Sequence, residues 1–304
     1  VAVVLALIFF QRIWGTSILG LSYVSLMALG FYLDARKGIF PPPTLFQRIG
    51  FGVFFPLVAV GPIERWGNLR SAFSEPRTLN RGTVVSGLLL IAFGLFKKIV
   101  IADRLAGLAD DPNHSFLYYS PLNLWAYFGL SLLWIYCEFS GIIHIVRGVA
   151  RLFGIEVMEN FDRPYLAESI QEIWRRWHIS LVMWLRDHVY TPIALRTRSV
   201  ILASSAVLLL VGLWHGLKWQ MVAWSLYWVI PFWIAIALRQ RGWRPQLPVF
   251  VNRVICIAIM AYSTVFLSPK TLSDTFEILG RSLFLNSVPD GMIRPLALSD
   301  MDLW

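Results

Sequence analysis

Residues 169–192 read SIQEIWRRWHISLVMWLRDHVYTP and decide the fold that the sequence predicts. Ser169 is followed three residues later by Glu172, a capping-box pattern that predicts the start of a helix. Pro192 predicts its end. Seven apolar side chains recur at helical spacing and share one face of this helix: Ile170, Ile173, Trp174, Trp177, Leu181, Trp184 and Leu185.

The other face of the predicted helix carries Gln171, Arg175 and Arg186, and His178 falls at the border between the two faces. Tryptophan and arginine each combine an apolar part with a polar end, so a helix with this pattern is typical of the boundary between water and lipid. On periodicity alone, the favoured interpretation is an anchoring helix on the membrane, in which His178 has no chemical role.

The composition indicates an integral membrane protein. Hydrophobic residues make up 57% of the 304 residues and charged residues only 15%, whereas about a quarter of a soluble domain is charged. Fourteen tryptophans are natural in interfacial belts. The net charge of +9 comes from basic residues in short loops between apolar runs, which predicts an anionic lipid or substrate as partner and no nucleic acid.

The sequence gives no indication of a metal site or of a disulfide framework. Cys137 and Cys256 both lie in apolar runs, and the chain has no CxxC and no HExxH motif. The chain opens on Val1 in an apolar run without a basic n-region, so no cleavable signal peptide is predicted. We expect residues 1–304 to be one transmembrane domain of a partial chain that lacks terminal helices.

Apolar segments recur along the chain, and about seven membrane spans are expected. The candidate spans are residues 18–33, 84–102, 121–139, 200–214, 219–238 and 249–267, with a weaker mixed segment at 142–153. Residues 1–10 are too short to span alone. No strand pattern or internal repeat competes with this all-α prediction.

Two segments predict helices that do not cross the membrane. Residues 51–63 are short for a span and contain Pro56, Gly61 and Pro62, which favours a re-entrant or broken segment. Residues 275–285 have an amphipathic pattern. The predicted fold is therefore an all-α membrane protein with re-entrant and amphipathic surface helices.

His215 is the sharpest candidate for chemistry. The run before it has about 15 residues, or roughly 22 Å of helix, whereas a hydrocarbon core needs roughly 30 Å. Either this pair of helices lies shallow, or the turn at His215 lies below the lipid surface in a polar cavity. His215 then either caps a helix end or acts on a substrate. Because no serine or cysteine nucleophile is near, the reaction predicted for it is general-base catalysis on a hydroxyl.

Several motifs resemble one family. WRRWHISLVMWLRD at residues 174–187, preceded by ENFDRPYL at 159–166, resembles the membrane-bound O-acyltransferase family, and in particular its bacterial branch with the alginate O-acetyltransferases and teichoic-acid D-alanyl transfer proteins. GLWHG at 212–216 is similar to the family's histidine motif. FFPLVAVGPIER at 54–65 and LDARKG at 33–38 resemble two further family segments.

The resemblance implies a multi-helix bundle around a funnel or tunnel. It implies a membrane O-acyltransferase that moves an acyl group from a thioester to a hydroxyl of a cell-surface polysaccharide or cell-wall polymer. Acetyl is the acyl group that we expect first. The co-substrate would be acetyl-CoA or an acyl carrier protein, with no bound cofactor and no metal. The location would be the inner or plasma membrane, with several passes and a periplasmic or extracellular acetyltransferase as a further partner.

The resemblance also assigns roles to residues. His215 corresponds to the catalytic histidine that deprotonates the acceptor, and His178 to the second histidine, on a helix that lines the cavity. The residues expected to support the substrate path are Trp177, Trp214, Asp187, Arg175, Arg176 and Arg186. The three arginines could hold an anionic acceptor or carrier, although such arginines are more often charges at the membrane surface.

Two segments depart from the family pattern. Residues 138–144 read EFSGIIH where the family shows DFSGYSD, and residues 194–197 read ALRT where a Gly-Gly loop usually follows. These changes leave the exact acceptor open and leave room for an inactive or divergent member. A rival interpretation from another class is an acyl-relay or transport subunit of a polymer-modification or export complex that does not complete the transfer itself. A third is a passive scaffold in which neither histidine matters.

Overall fold

The computed structural model describes residues 20–58, 60–75, 79–109, 119–243, 247–267 and 271–284. Within these ranges the chain forms helices and loops and no β-strand, and one isolated antiparallel bridge joins Phe161 to Trp177. The all-α prediction is confirmed for this part of the chain. The apolar run at residues 1–10, the start of the predicted span at 18–33 and the end of the amphipathic segment at 275–285 lie outside the described residues.

The described residues form fourteen α-helices. In chain order they are α1 (Leu21–Arg36), α2 (Leu45–Val53), α3 (Phe55–Val58), α4 (Trp66–Leu69), α5 (Arg81–Leu95), α6 (Asp103–Ala109), α7 (Pro121–Leu152), α8 (Ile170–Arg176), α9 (Ile179–Leu185), α10 (Thr191–Thr197), α11 (Val200–His215), α12 (Trp219–Gln240), α13 (Val249–Ser263) and α14 (Leu272–Ser282). Single turns of 3₁₀-helix are Ser71–Phe73, Pro164–Leu166 and Thr264–Phe266, and π-helical segments are Phe96–Ala102 and Arg186–Tyr190.

Four helical stretches of the described chain are long and apolar enough to cross a membrane. They are Arg81–Gly107, Pro121–Leu152, Trp219–Gln240 and Val249–Phe266, and α11 is a shorter apolar helix of 16 residues. The expectation of about seven spans is too high for these residues. One reason is that the segments predicted at 121–139 and 142–153 are a single helix, α7.

Contacts divide the chain into two compact units. The first unit contains Val1–Leu95, Ser140–Asp162 and Trp174–Val207. Within it, glycines let α5 and the second half of α7 approach closely: a Cβ on Gly148 would lie 2.5 Å from the carbonyl oxygen of Gly87, and a Cβ on Gly94 would lie 2.6 Å from that of Gly141. Gly87, Gly94 and Gly148 therefore serve the packing of the two helices.

The predicted broken segment at residues 51–63 lies in the first unit and is indeed interrupted. Helix α2 ends at Val53, α3 covers only Phe55–Val58, and an extended loop follows. Thr44 caps α2 by accepting a hydrogen bond from the Gln47 backbone. The apolar side chains of α2 and the start of α3 that are strongly exposed are Leu45, Phe46, Ile49, Val53 and Phe55, a pattern typical of a helix at the lipid boundary.

The second unit contains Phe96–Phe139, Arg163–Ile173 and Leu208–Trp304. Its aromatic core includes Trp125 stacked on Tyr262 with ring centroids 5.2 Å apart. The Tyr227 hydroxyl donates a 2.8 Å hydrogen bond to the carbonyl of Ile259, which joins α12 to α13. The amphipathic helix α14 starts at a capping box formed by Thr271 and Asp274.

The single helix predicted for residues 169–192 is wrong. Its start is confirmed, since Ser169 Oγ accepts a 3.3 Å hydrogen bond from the Glu172 backbone and α8 begins at Ile170. The helix then breaks at His178, whose φ of 48° is left-handed. Pro192 does not end it either, because Pro192 lies in the first turn of α10, where a missing N–H costs nothing.

Candidate active site

His178 occupies a buried left-handed turn between α8 and α9. Only 4% of its surface is exposed, and its ring stacks on Tyr23 with centroids 6.5 Å apart and planes inclined by 24°. The prediction that His178 lies at the border of a surface helix is therefore wrong. His178 is an interior residue. Burial of a polar ring costs free energy unless neighbouring polar groups form hydrogen bonds with it.

The turn at His178 is held by the loop at residues 160–162. The Ile179 N–H donates a 3.0 Å bond to the Asn160 carbonyl, and the Ser180 N–H donates a 3.1 Å bond to Asn160 Oδ1. On the other side, the Asp162 N–H donates to the Arg176 carbonyl at 3.0 Å. These bonds replace the helical ladder, so the break costs few unpaired backbone groups.

A second loop, residues 61–65, is fixed to the same turn. The Ile63 N–H donates a 3.0 Å hydrogen bond to Ser180 Oγ. The next residue, Glu64, is 1% exposed and accepts bonds from the backbone N–H of Met158 and, at 3.2 Å, from Asn68 Nδ2. Burial raises the pKa of the Glu64 carboxyl, and the hydrogen bonds and Arg65 oppose this shift only in part.

An ion pair joins the loop to the π-helical segment after α9. Asp187 accepts hydrogen bonds from Arg65 Nη1 and, at 2.8 Å, from Arg186 Nε. Burial alone would raise the pKa of Asp187, but these bonds from Arg186 and Arg65 outweigh burial and hold the pKa below its usual value. Asp187 is therefore an ionised carboxylate bound by two arginines.

The LDARKG segment reaches the same π-helical segment. His188 Nε2 lies 3.7 Å from Asp34 Oδ1, and its ring centroid is 4.7 Å from that of Trp184. Burial holds the pKa of His188 below its ordinary value, against the opposing effect of Asp34. Trp184 Nε1 donates a 3.0 Å bond to the Leu26 carbonyl, so α9 is attached to α1.

The remaining predicted residues of this unit directly precede His178. Trp177 is half-buried, and its ring meets the edge of Phe161 at 5.1 Å, beside the backbone bridge between the two residues. Arg176 Nη1 lies 3.3 Å from Asp162 Oδ2, and Arg175 is exposed. Trp177 and Arg176 therefore fasten the start of the turn to the 160–162 loop.

His215 is the last residue of α11, in the second unit, and its side chain is exposed. Its ring meets Trp214 at 4.9 Å and Trp224 at 5.8 Å, both edge-on. The predicted tight turn after it is confirmed, since α12 begins at Trp219. An exposed imidazole between two indole rings can take a proton from a hydroxyl that reaches the helix end.

The structure gathers the predicted site residues in two groups. His178, Trp177, Arg175, Arg176, Arg186 and Asp187 belong to the first unit, and His215 and Trp214 to the second. Sequence reasoning missed four residues that build the His178 turn: Glu64, Arg65, Asn160 and Ser180. The available signal was that Glu64 and Arg65 follow an apolar segment and that Asn160 is the second residue of a family-like motif.

The sequence matches a known family along most of its length. The sequence model of the membrane-bound O-acyltransferase family matches residues 16–270, most of the chain and all the residues of both groups. Among curated proteins, a probable alginate O-acetylase of Azotobacter vinelandii is 34% identical over 217 residues, which are 68% of this chain and 42% of that protein.

Two further relatives act on cell-wall polymers by name. A peptidoglycan O-acetyltransferase of Helicobacter pylori is 30% identical over 261 residues, 81% of this chain and 50% of that protein. A teichoic acid D-alanyltransferase of Streptococcus thermophilus is 26% identical over 230 residues, 69% of this chain and 54% of that protein. The chain therefore spans about half the length of the curated relatives that it matches.

Proposed function

The chain belongs to the membrane-bound O-acyltransferase family. We propose that it acts as a membrane enzyme that moves an acyl group, most simply acetyl, from a thioester to a hydroxyl of a polysaccharide or cell-wall polymer. The relatives' names describe O-acetyl transfer to alginate and peptidoglycan and D-alanyl transfer to teichoic acid. Each of these acceptors is a polymer that presents hydroxyl groups, which supports the acceptor class.

The observation that carries the proposal is the exposed imidazole of His215 inside the GLWHG motif. In the proposed reaction His215 accepts the proton of the acceptor hydroxyl while that oxygen attacks the thioester carbonyl. The carbon–sulfur bond breaks, and the proton passes from the imidazole to the departing sulfur. The products are an ester and a free thiol, and no metal or bound cofactor is needed.

We assign the first-unit residues to positioning. His178 orients a substrate or handles a proton within its buried turn, and the ion pairs of Asp187 keep that turn and the neighbouring π-helical segment in place. The exposed side chains of Arg175 and Arg186 would bind an anionic acceptor or carrier. Trp177 precedes His178 and packs on Phe161, and Trp214 packs on His215.

The donor and location follow from the same proposal. Acetyl-CoA or an acyl carrier protein would supply the thioester, and the protein would cross the inner or plasma membrane several times through its apolar helices. A periplasmic or extracellular acetyltransferase would be a further partner for polymers modified outside the membrane.

The proposal is tested by acyl transfer with the full-length parent protein in membranes. Labelled acetyl-CoA and carrier-protein thioesters are offered with the cell-surface polymer, and His215→Ala is compared with His144→Ala. His144 is the matched control, since its ring is a half-buried imidazole on α7 that contacts the Ser140 carbonyl at 2.6 Å. Transfer by wild type and His144→Ala but not by His215→Ala is expected. Equal transfer by all three would favour the relay or scaffold interpretation.

A further inference from the structure

Only part of the Arg65 guanidinium is hydrogen-bonded to other groups of the described part of the protein. Its side chain is 18% exposed, and Nη1 is bound to Asp187. The other edge, formed by Nε and Nη2, is buried and has no hydrogen-bond partner within the described residues. Buried polar groups almost always have a partner, and an unpaired charged donor is the most costly kind.

The surrounding carboxylates are hydrogen-bonded to other donors and make no bond to this edge. Asp187 gives Oδ2 to Arg65 and Oδ1 to Arg186. Glu64 gives Oε1 to the Met158 N–H and Oε2 to Asn68 and to the backbone of Arg65. Since Arg65 and Arg186 share the carboxylate of Asp187, this trio carries a net positive charge, which favours an anion.

A second buried donor without a partner lies in the same network. Asn160 is fully buried, and its Nδ2 has no hydrogen-bond partner while its Oδ1 accepts from Ser180. Ser180 Oγ in turn accepts from Ile63, two residues before Arg65. Asn160 and the Arg65 loop are thus both bonded to Ser180, next to His178. This network therefore contains, besides the Arg65 edge, a second buried donor that an acceptor oxygen would satisfy.

We infer that the Nε–Nη2 edge of Arg65 is the binding site for an oxyanion of one of the two substrates, either a phosphate of the thioester donor or a carboxylate of the polymer acceptor. The planar pair of N–H groups matches the two oxygens of a phosphate or carboxylate. The inference rests on the proposed function and adds to it: Arg65 holds a substrate by its charged group beside the turn that carries His178.

The variant that isolates the edge is Arg65→Lys in the full-length protein. Lysine keeps a positive charge for Asp187 but cannot make the paired hydrogen bonds. Arg70→Lys is the matched control, because Arg70 is exposed and lies five residues further along the chain. For Arg65→Lys we expect the KM of the substrate with the oxyanion to rise about tenfold or more, with little change in kcat and no change in the control.

The source of the oxyanion is found by removing it from each substrate. The donors compared are acetyl-CoA and acetyl-pantetheine, which lacks phosphate, and the acceptors are a carboxylated polymer fragment and its carboxyl-reduced form. A KM penalty for Arg65→Lys that disappears with acetyl-pantetheine assigns the site to the donor, and one that disappears with the reduced fragment assigns it to the acceptor. A folded Arg65→Lys protein with wild-type KM for every substrate would overturn the inference. Buried water would then be the partner of this edge in the wild-type protein.

Binding to the wild-type protein gives a readout that needs neither turnover nor a variant. Titration calorimetry compares CoA with pantetheine, and the carboxylated fragment with its reduced form. Tighter binding of one charged member of a pair, by about tenfold, supports the oxyanion site even if no acyl transfer is observed. Equal affinity within both pairs overturns it, whatever the outcome for the proposed function.

Discussion

The backbone N–H of Ile63 donates a 3.0 Å hydrogen bond to Oγ of Ser180, 117 residues further along the chain. This bond fixes the loop of the FFPLVAVGPIER segment to the turn that carries His178. Because Asn160 binds the same turn from a third segment, three separate parts of the sequence determine where the imidazole lies.

Ser180→Ala tests this relationship. The substitution leaves the buried Ile63 N–H without an acceptor, so we expect the protein to lose about 1–3 kcal/mol of stability, and transfer to fall because the His178 turn loosens. Thermal unfolding in detergent and the transfer assay measure the two effects. Ser86→Ala is the control, since Ser86 Oγ only returns to the Thr83 carbonyl of its own helix. Equal behaviour of the two variants would show that the bond is dispensable.

Gly212→Ala tests how α11 is attached to α12. A Cβ on Gly212 would lie 2.0 Å from Ser225 Oγ and 2.6 Å from the Met221 carbonyl oxygen. The two helices must therefore separate, at a cost of about 1–3 kcal/mol, which moves the helix end that bears His215.

The same GLWHG motif supplies the control for this change. A Cβ on Gly216 would find its nearest neighbour, Met221 Cγ, at 3.6 Å, an ordinary contact. Gly216→Ala should therefore unfold at a temperature close to that of wild type. If Gly212→Ala were as stable as Gly216→Ala, the close packing of α11 on α12 would be wrong.

Glu64 predicts a dependence of stability on pH. Its pKa is raised from 4.5 by burial, so the folded protein binds this proton more tightly than the unfolded chain does. The resulting stabilisation is complete below about pH 4.5 and is lost as the pH rises through the folded-state pKa. Unfolding midpoints measured across this range should fall less steeply for Glu64→Gln than for wild type, and Glu75→Gln, at an exposed carboxyl, should follow wild type. A wild-type slope in Glu64→Gln would exclude this explanation.

Substitutions at His178 separate the effect of its backbone conformation from the effect of its imidazole. Asparagine tolerates a left-handed φ, whereas valine does not, so His178→Val should be less stable than His178→Asn by about 1–2 kcal/mol. At His144, inside α7, the same two substitutions should differ by only a few tenths of a kcal/mol. Transfer should be reduced in both His178 variants, since both lack the imidazole. Full activity of a folded His178→Asn protein would remove the proposed role.

Much of the fold was predictable because it depends on local pattern. Apolar runs of sufficient length located α12 and α13, and the pairing of Ser169 with Glu172 located the start of α8. Both signals lie within a few residues of the structure that they determine.

The break at His178 was not predictable from the same stretch. The apolar spacing of residues 170–185 fits a continuous helix, and the bonds that replace its ladder come from Asn160 and Ile63, which are distant in sequence. Similarly, the segments at 121–139 and 142–153 were predicted separately, although the structure has them in one helix, α7. Glu64 and Arg65 were recognised as part of a motif but not as part of the site, because their partners, Met158 and Asp187, lie about a hundred residues away.

The most direct test of the account is chemical rescue of His215→Gly in the full-length protein. Removing a general base costs about 100-fold or more in rate, and because the His215 side chain is exposed at the helix end, free imidazole can enter the space that it leaves. We predict that acetyl transfer to the polymer is lost in His215→Gly and returns in proportion to added imidazole, while wild type is unaffected. A folded His215→Gly protein that transfers acetyl groups at the wild-type rate without imidazole would contradict the account.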